Sequence, residues 1–500
     1  MNKLRRSPKL FFAFFAFFAF QNPLGAQIPQ QEYTARREAV VEGLPSGIVL
    51  AIGAPETEAD YMDFFQTSKF NYLTGFAEPQ AALVMVVRDG AIAGQPILFL
   101  QPSDPAREVW EGHRLGVDAA KRMYGFDARP IATMDKVVDS LLASGIPRTL
   151  HVVGEYRASR AIRTRDDQIV EAIVARNPGV TIQAINSRVN ASRRVKSVAE
   201  LDLLRKAIAI TVAAHREAAR AIEPGMNEFE IEGLIEYTFR RNGSDRPGFG
   251  SIVGSGPNST TLHYGANDRF IQPLETIVID IGAAYRGYSA DVTRTYPSNG
   301  TFSPAQREIY SAVRAAQLAA ENAARVNGPA AALTQASDAS LTASLTRLGL
   351  IESPSATYDC GNGQTCTQLS LYYMHGLGHP IGLDVHDQGE STGAGSLVPG
   401  TAYTIEPGIY VRGNLLDIIP NTPANQAMLA RIRPAVQKYA NIGVRIEDDY
   451  IVTANGIEWV SQAPREIAEV EALMREPWTG PARRDPVKVE WYRSTSRLVP

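Results

Sequence analysis

Apolar and polar positions along the chain fall into two regimes. From Ile48 short apolar runs (GIVLAIGA, AALVMVVRDG, PILFLQP, TLHVVG) alternate with amphipathic stretches such as VDAAKRMYG and MDKVVDSLLAS. Strand-length runs alternating with helical patterns predict an α/β domain of roughly 150 residues, with residues 27–45 read as a leader into it. The regime changes across 187–197, which sets the domains at 27–190 and 191–476. Ser197 with Glu200 three residues on has the form of a capping box, and Leu201, Leu204, Ile208 and Val212 then recur at helical spacing. A second helix is predicted over 228–243, stopping at Asn242 and Gly243. Strand-like runs follow (GSIVGSG, TIVIDIGAAY, YSADVTRTYP). Ser303 and Pro304 open another helix with proline at its first position, and the alanine-rich 329–349 continues in kind. YTIEPGIYV and GVRIEDDYIVT read as strands. Between them 412–442, with Pro420, Pro423 and Pro434, reads as irregular, and a last helix falls near 464–475. The tail 477–500 is rich in Pro and Arg and lacks periodicity.

Composition changes this picture little. Apolar residues make up 44% of the 500, enough for sizeable cores, and the net charge of −3 gives no basic face for nucleic acid. The N-terminus adds more. Basic MNKLRRSPK precedes the eleven-residue apolar run LFFAFFAFFAF, and Gly25 and Ala26 offer a cleavage point before Gln27. The run is shorter than the ~20 residues a membrane span needs, so 1–26 reads as a secretory signal peptide. The expectation is an exported protein, periplasmic or secreted, with no stable membrane anchor after cleavage. The two cysteines, in YDCGNGQTC, are read as a small-loop disulfide between Cys360 and Cys366, with Gly361 and Gly363 supplying the bend.

Candidate chemistry concentrates in 374–406, MHGLGHPIGLDVHDQGESTGAGSLVPGTAYTIE, which holds His375, His379 and His386 and ends on Glu406. Glycines and a proline separate the histidines, so helical spacing does not account for them. Asp280 stands among Ile277, Val278, Ile279 and Ile281, in a strand expected to be buried on both faces. A lone buried carboxylate costs several kcal/mol, so Asp280 needs a cation or metal. Asp291 follows eleven residues later, past a turn at Gly287, and a hairpin of that length returns it beside Asp280. Glu406 and Glu447 repeat the theme in YTIEPG and GVRIEDD, with Arg445 and Glu447 on one strand face. Any one of these acids alone is explained more simply by an ion pair. Four on interior strands beside histidines suit a pair of divalent ions such as Mn, Co or Zn. From the residues alone, either His375 or His379 serves as a ligand. His113, His151 and His215 read as solvated or structural.

VIDIGAAYRGYSADVTRT, HGLGHPIGLDVHD, YTIEPGIYV and GVRIEDDYIV resemble, in order, the motifs of the pita-bread metallopeptidases (M24): aminopeptidase P, prolidase and methionine aminopeptidase. The match runs from about 195 to 475. FFQTSKFNYLTGF and LFLQPSDPAREVWEGHRLG are similar to the aminopeptidase P/prolidase N-terminal domain, which narrows the resemblance to the proline-specific branch. It implies an α/β N-terminal domain followed by an α+β pita-bread (creatinase/aminopeptidase-like) catalytic domain. It also implies metal ligands Asp280, Asp291, His379, Glu406 and Glu447, with Asp291 and Glu447 bridging and Glu406 also the general acid/base. His263 falls at a substrate-contacting position and His386 beside the scissile carbonyl. His375 and Arg445 fall where the family orients the ligands. Relatives that keep the fold but lose catalysis lack ligands; all five are present here. The WEGHRLG stretch, with Trp110 and Arg114, lies near a subunit contact in the family, which implies a homo-oligomer.

Three departures bear on specificity: the Cys360 loop, the 412–442 segment, and the short QGESTGAGS loop, which lacks the arginine prolidases commonly use for a dipeptide's carboxylate. The reading is therefore an exported Xaa-Pro aminopeptidase that cuts before proline with a metal-bridging hydroxide, two Mn ions being the expected pair. An Xaa-Pro dipeptidase, a phosphotriester hydrolase and a metal-free peptide-binding protein are the alternatives.

Overall fold

In the computed structural model, described over residues 28–57, 63–157, 162–389 and 395–480, the alternating runs of the first half build one mixed sheet. Residues 1–27, with the expected signal peptide, the tail from 481 and most of the QGESTGAGS loop lie outside the described residues. Gly47–Ile52 and Ala82–Arg88 pair antiparallel at the centre. Thr149–Val153 adds parallel to the first and Ile97–Leu100 antiparallel to the second. The central strand is buried along its whole length, which is why its sequence is a solid apolar run.

Residues 27–45 are not a leader. Gln30–Val41 is a helix whose inner face carries Arg36 and Arg37 as well as Val40 and Val41. Arg36 lies over the Tyr72 ring at 4.2 Å and Arg37 over Phe126 at 4.7 Å, and both guanidinium groups donate to main-chain carbonyls. An apolar stripe would have announced this packing; stacked arginines do not.

The second half opens on the helix Val198–Ala221. Ser197 Oγ accepts from Glu200 N at 3.1 Å and Ser197 N donates back to Glu200 Oε2 at 2.9 Å. Leu204 and Ile208 are fully buried, while Leu201 and Val212 lie at the flanks of a broader buried face running through Leu203, Ala207, Thr211 and His215. His215 is structural. Its Nε2–H donates to Val292 O at 2.9 Å, and burial lowers its pKa to about 3. His151 is likewise buried against Pro45 O, and exposed His113 meets Glu108.

A second expectation fails. Within 412–442 lies a 17-residue helix, Pro423–Tyr439. Pro423 occupies the first helical position, where its missing N–H costs nothing. Pro434 sits in the interior, and Met428, Leu429, Ile432, Val436 and Tyr439 bury one face tightly enough to hold the helix despite it. Beside it the hairpin Thr357–Gly361/Gln364–Thr367 carries the Cys360–Cys366 disulfide, with Gly361 and Gly363 at positive φ. Asn425 at the helix start bonds both N and O of Asp359, joining the two departures into one unit.

Candidate metal centre

The site forms where paired strands break. Thr276–Ile281 pairs with Val292–Pro297, placing Asp280 opposite Thr293 and Asp291 one residue beyond the end of the ladder. Ala402–Ile405 and Gly408–Val411 are separated by Glu406 and Pro407. Their partners, Ile442–Arg445 and Asp448–Thr453, are separated by Ile446 and Glu447. Both glutamates therefore leave the ladder at matched breaks, as bulges re-aim side chains out of a sheet. The histidine segment lies against the Glu406 strand. Thr404 N donates to His379 O, Glu406 N to Leu377 O, and His379 N to Thr404 Oγ1. Gly378 is required by this approach, since a Cβ there would collide with the Thr404 carbonyl.

Ligand-type atoms converge in three overlapping groups, each within 4.8 Å: Asp280, Asp291 and Glu447; His379, Glu406 and Glu447; and Asp291, His379 and His386. Arg445 is the cation among these acids, donating to Asp280 Oδ2. One oxygen each of Asp280, Asp291 and Glu447 is buried without a hydrogen-bond partner among the described residues. Burial first, and then crowding by neighbouring carboxylates, pushes Asp291 and Glu447 well above the usual carboxylate range. Glu406 rises to about 8, with burial the main cause and Arg445 opposing it.

The two candidate histidines differ in their hydrogen bonding. His375 has both ring nitrogens engaged, Nδ1–H donating to Gly376 O and Nε2 accepting from the Tyr410 hydroxyl, each at 2.8 Å. His379 donates Nδ1–H to Pro380 O, which leaves Nε2 as a lone pair 3.3 Å from Asp291 and 3.5 Å from Glu406. Burial holds its pKa at about 4, so the ring is neutral near pH 7. A lone pair facing two carboxylate oxygens is relieved by a proton held on one of them or by a cation standing between them, and the site's crowding of acids calls for the cation. The donor set and the orphaned oxygens therefore fit divalent metal ions. His386 is exposed, its ring centroid 4.1 Å from that of His379. His263 is exposed at the rim, next to Leu262, whose carbonyl accepts from Arg445 at 3.4 Å.

Several contributors escaped sequence reasoning. Tyr410 accepts from Arg445 Nη1 and donates to His375, tying Asp280 to the histidine segment. Thr293 Oγ1 donates to Glu447. Asp449 accepts from Asp291 N at 3.2 Å. Asp387, beside His386, is gripped by buried Arg193 and Lys196. Only Asp449 carried a signal: three consecutive acids, Glu447 to Asp449, in an otherwise apolar strand.

With this geometry established, comparison places it among known proteins. Residues 202–454 match metallopeptidase family M24, and 33–150 match the aminopeptidase P N-terminal domain. The chain is 33% identical over 463 residues to the Xaa-Pro aminopeptidase of Escherichia coli (strain K12), covering 90% of this chain and 98% of that protein. It is 29% identical to the Xaa-Pro dipeptidase of Homo sapiens, covering 91% and 97%. Proline aminopeptidase P II from Yersinia pestis superposes with a TM-score of 0.76 at 30% identity, covering 89% of this chain and 99% of that one. An Escherichia coli aminopeptidase P variant in complex with substrate gives the same score at 31% identity. With its aminopeptidase P-type N-terminal domain and pita-bread catalytic domain, the chain belongs to metallopeptidase family M24.

Proposed function

We propose that this protein is an exported Xaa-Pro aminopeptidase, releasing the N-terminal residue of peptides whose second residue is proline. The observation that carries the reading is the neutral His379 lone pair facing Asp291 and Glu406 amid buried, unpartnered carboxylate oxygens. The naming of similar full-length proteins as Xaa-Pro aminopeptidases supports the substrate class. When bound, two divalent ions, Mn in this reading with Co or Zn as substitutes, would polarise the scissile carbonyl and activate a water. Asp280, Asp291, His379, Glu406 and Glu447 would hold them. Glu406, ionised once the site is loaded, would take the water proton and then, as the acid its buried setting readily sustains, pass it to the departing proline nitrogen. His263 and His386 face the open side and would steady the peptide and the developing oxyanion. Arg445 and Tyr410 orient Asp280 and His375. Export rests on the basic and apolar composition of 1–26. Self-association would use the Trp110 region, where that side chain is 88% exposed.

The test uses signal-free protein, stripped with chelator and reloaded with Mn, given an Xaa-Pro-Yaa tripeptide beside the Xaa-Pro dipeptide. Metal-dependent release of Xaa from the tripeptide, with the dipeptide spared, is expected. Cleavage of the dipeptide alone would make it a dipeptidase. Cleavage of neither by the metal-loaded protein would refute both.

A further inference from the structure

A cavity of about 810 Å³ lies between the two domains, a size that accommodates a short peptide. Its charged lining is Arg36, Arg246, Arg286 and Asp245. Two of these are already engaged. Arg36 bonds Glu32 and the Tyr72 carbonyl and pairs with Glu200, and Asp245 accepts the Gly287 N–H. The other two are available. Arg246 uses one nitrogen on the Pro247 and Gly248 carbonyls and stacks over Phe65 at 4.7 Å. No ion pair holds it among the described residues, and burial pulls its pKa below the ordinary value. Arg286 is exposed and has no partner among the described residues. Among the described residues the cavity thus offers two guanidinium groups without a carboxylate ion pair, Arg246 feeling Asp245 and Asp384 only through their charge.

The backbone at Arg286 adds an independent observation. Tyr285 pairs with Tyr288, so Arg286 and Gly287 form a two-residue hairpin turn, with φ +53° and +84°. Such turns favour Asn-Gly or Gly-Gly, because a long side chain is disfavoured at positive φ. An arginine kept there against its backbone preference points to a use for its side chain.

The cavity also lies within reach of the metal centre. Leu383 lines it, and His386 is three residues further on, so chain length caps their separation at about 11 Å. An extended peptide three residues past the cut covers a similar span.

We propose that this cavity receives the part of the peptide beyond proline, and that Arg246 and Arg286 hold its terminal carboxylate. The inference rests on the aminopeptidase reading. It gives the enzyme a carboxylate anchor set back from the scissile bond, where an Xaa-Pro dipeptide does not reach.

Mn-loaded protein would be given Xaa-Pro-Ala-Ala as the free acid and as the C-terminal amide. The native protein should prefer the acid by about tenfold in kcat/KM, as for a hydrogen-bonded charge. That ratio should approach one in Arg286→Asn and in the Arg246→Gln/Arg286→Asn double variant. Arg286→Asn relieves the turn, so its thermal midpoint should hold or rise while selectivity is lost, separating this effect from misfolding. A native ratio near one, or a ratio unchanged in the double variant, overturns the inference. Calorimetry with Pro-Ala-Ala acid and amide, which needs no turnover, separates the two readings. If no Xaa-Pro bond is cut, the aminopeptidase reading fails, yet acid-selective binding lost in Arg286→Asn would still assign the carboxylate to this cavity. Equal binding of acid and amide would overturn it.

Discussion

Removing metal should invert the protein's response to pH, and the site gives the magnitude. Glu406 is buried among Asp280, Asp291 and Glu447 with Arg445 as the nearby cation, and its pKa stands at about 8 against an ordinary 4.5. Because the folded value is raised, the stabilisation is fully present below pH 4.5 and is lost as pH rises towards 8. A shift of that size is worth about 5 kcal/mol across the window. Asp291 and Glu447 shift in the same direction. The buried His215 works the opposite way: its pKa is lowered to about 3, so its effect is confined to the range between 3 and 6.5. Measurements from pH 6.5 to 8.5 therefore leave the His215 contribution out. In chelator-stripped protein the thermal midpoint should fall by several degrees over that interval, given roughly 2–4 °C per kcal/mol for a domain of this size. Reloading with Mn should flatten or reverse the slope, since the ligands bind metal deprotonated. Glu406→Gln, stripped, should lose part of the slope, Asp291 and Glu447 keeping the rest. A stripped native protein whose midpoint is flat or rises with pH, or an unchanged slope in Glu406→Gln, would refute the electrostatic account of the site.

Two further outcomes follow from neighbouring groups. Asp448 is fully buried between Arg294 and Arg465, so Asp448→Asn leaves the buried Arg294 without a carboxylate while Arg465 keeps Glu321; chemical denaturation should show a loss of about 3 kcal/mol. Tyr410→Phe removes the hydroxyl linking Arg445 to His375 without touching a candidate ligand. Its bound-metal stoichiometry should stay native while kcat falls roughly 10–100-fold, as for other partners that orient a metal site; a loss of metal instead would mean that Tyr410 maintains the centre itself.

The sequence is most readable where burial and polarity conflict. Asp280 stands out because four aliphatic neighbours make an unpaired carboxylate untenable, and the strand buries all six of its residues. The helix Val198–Ala221 is readable for a similar local reason: its cap and its apolar spacing lie within one stretch of chain. What stays hidden depends on contacts between distant segments. Tyr410 meets Arg445 and His375 only because the strand Gly408–Val411 pairs with Ile442–Arg445 while the histidine segment lies against Thr404, and no local pattern encodes that meeting. The helix Gln30–Val41 is obscured because arginines stacked on tyrosine and phenylalanine do the work of aliphatic residues on its inner face. The helix Pro423–Tyr439 is obscured because Pro423 and Pro434 signal irregular chain over the helical spacing of Met428, Ile432, Val436 and Tyr439. The residues alone leave His375 and His379 equivalent, and only the resemblance favours His379; in the structure each Nδ1–H finds a neighbouring carbonyl, and the difference lies at Nε2, which Tyr410 engages on His375 and which faces the acids on His379.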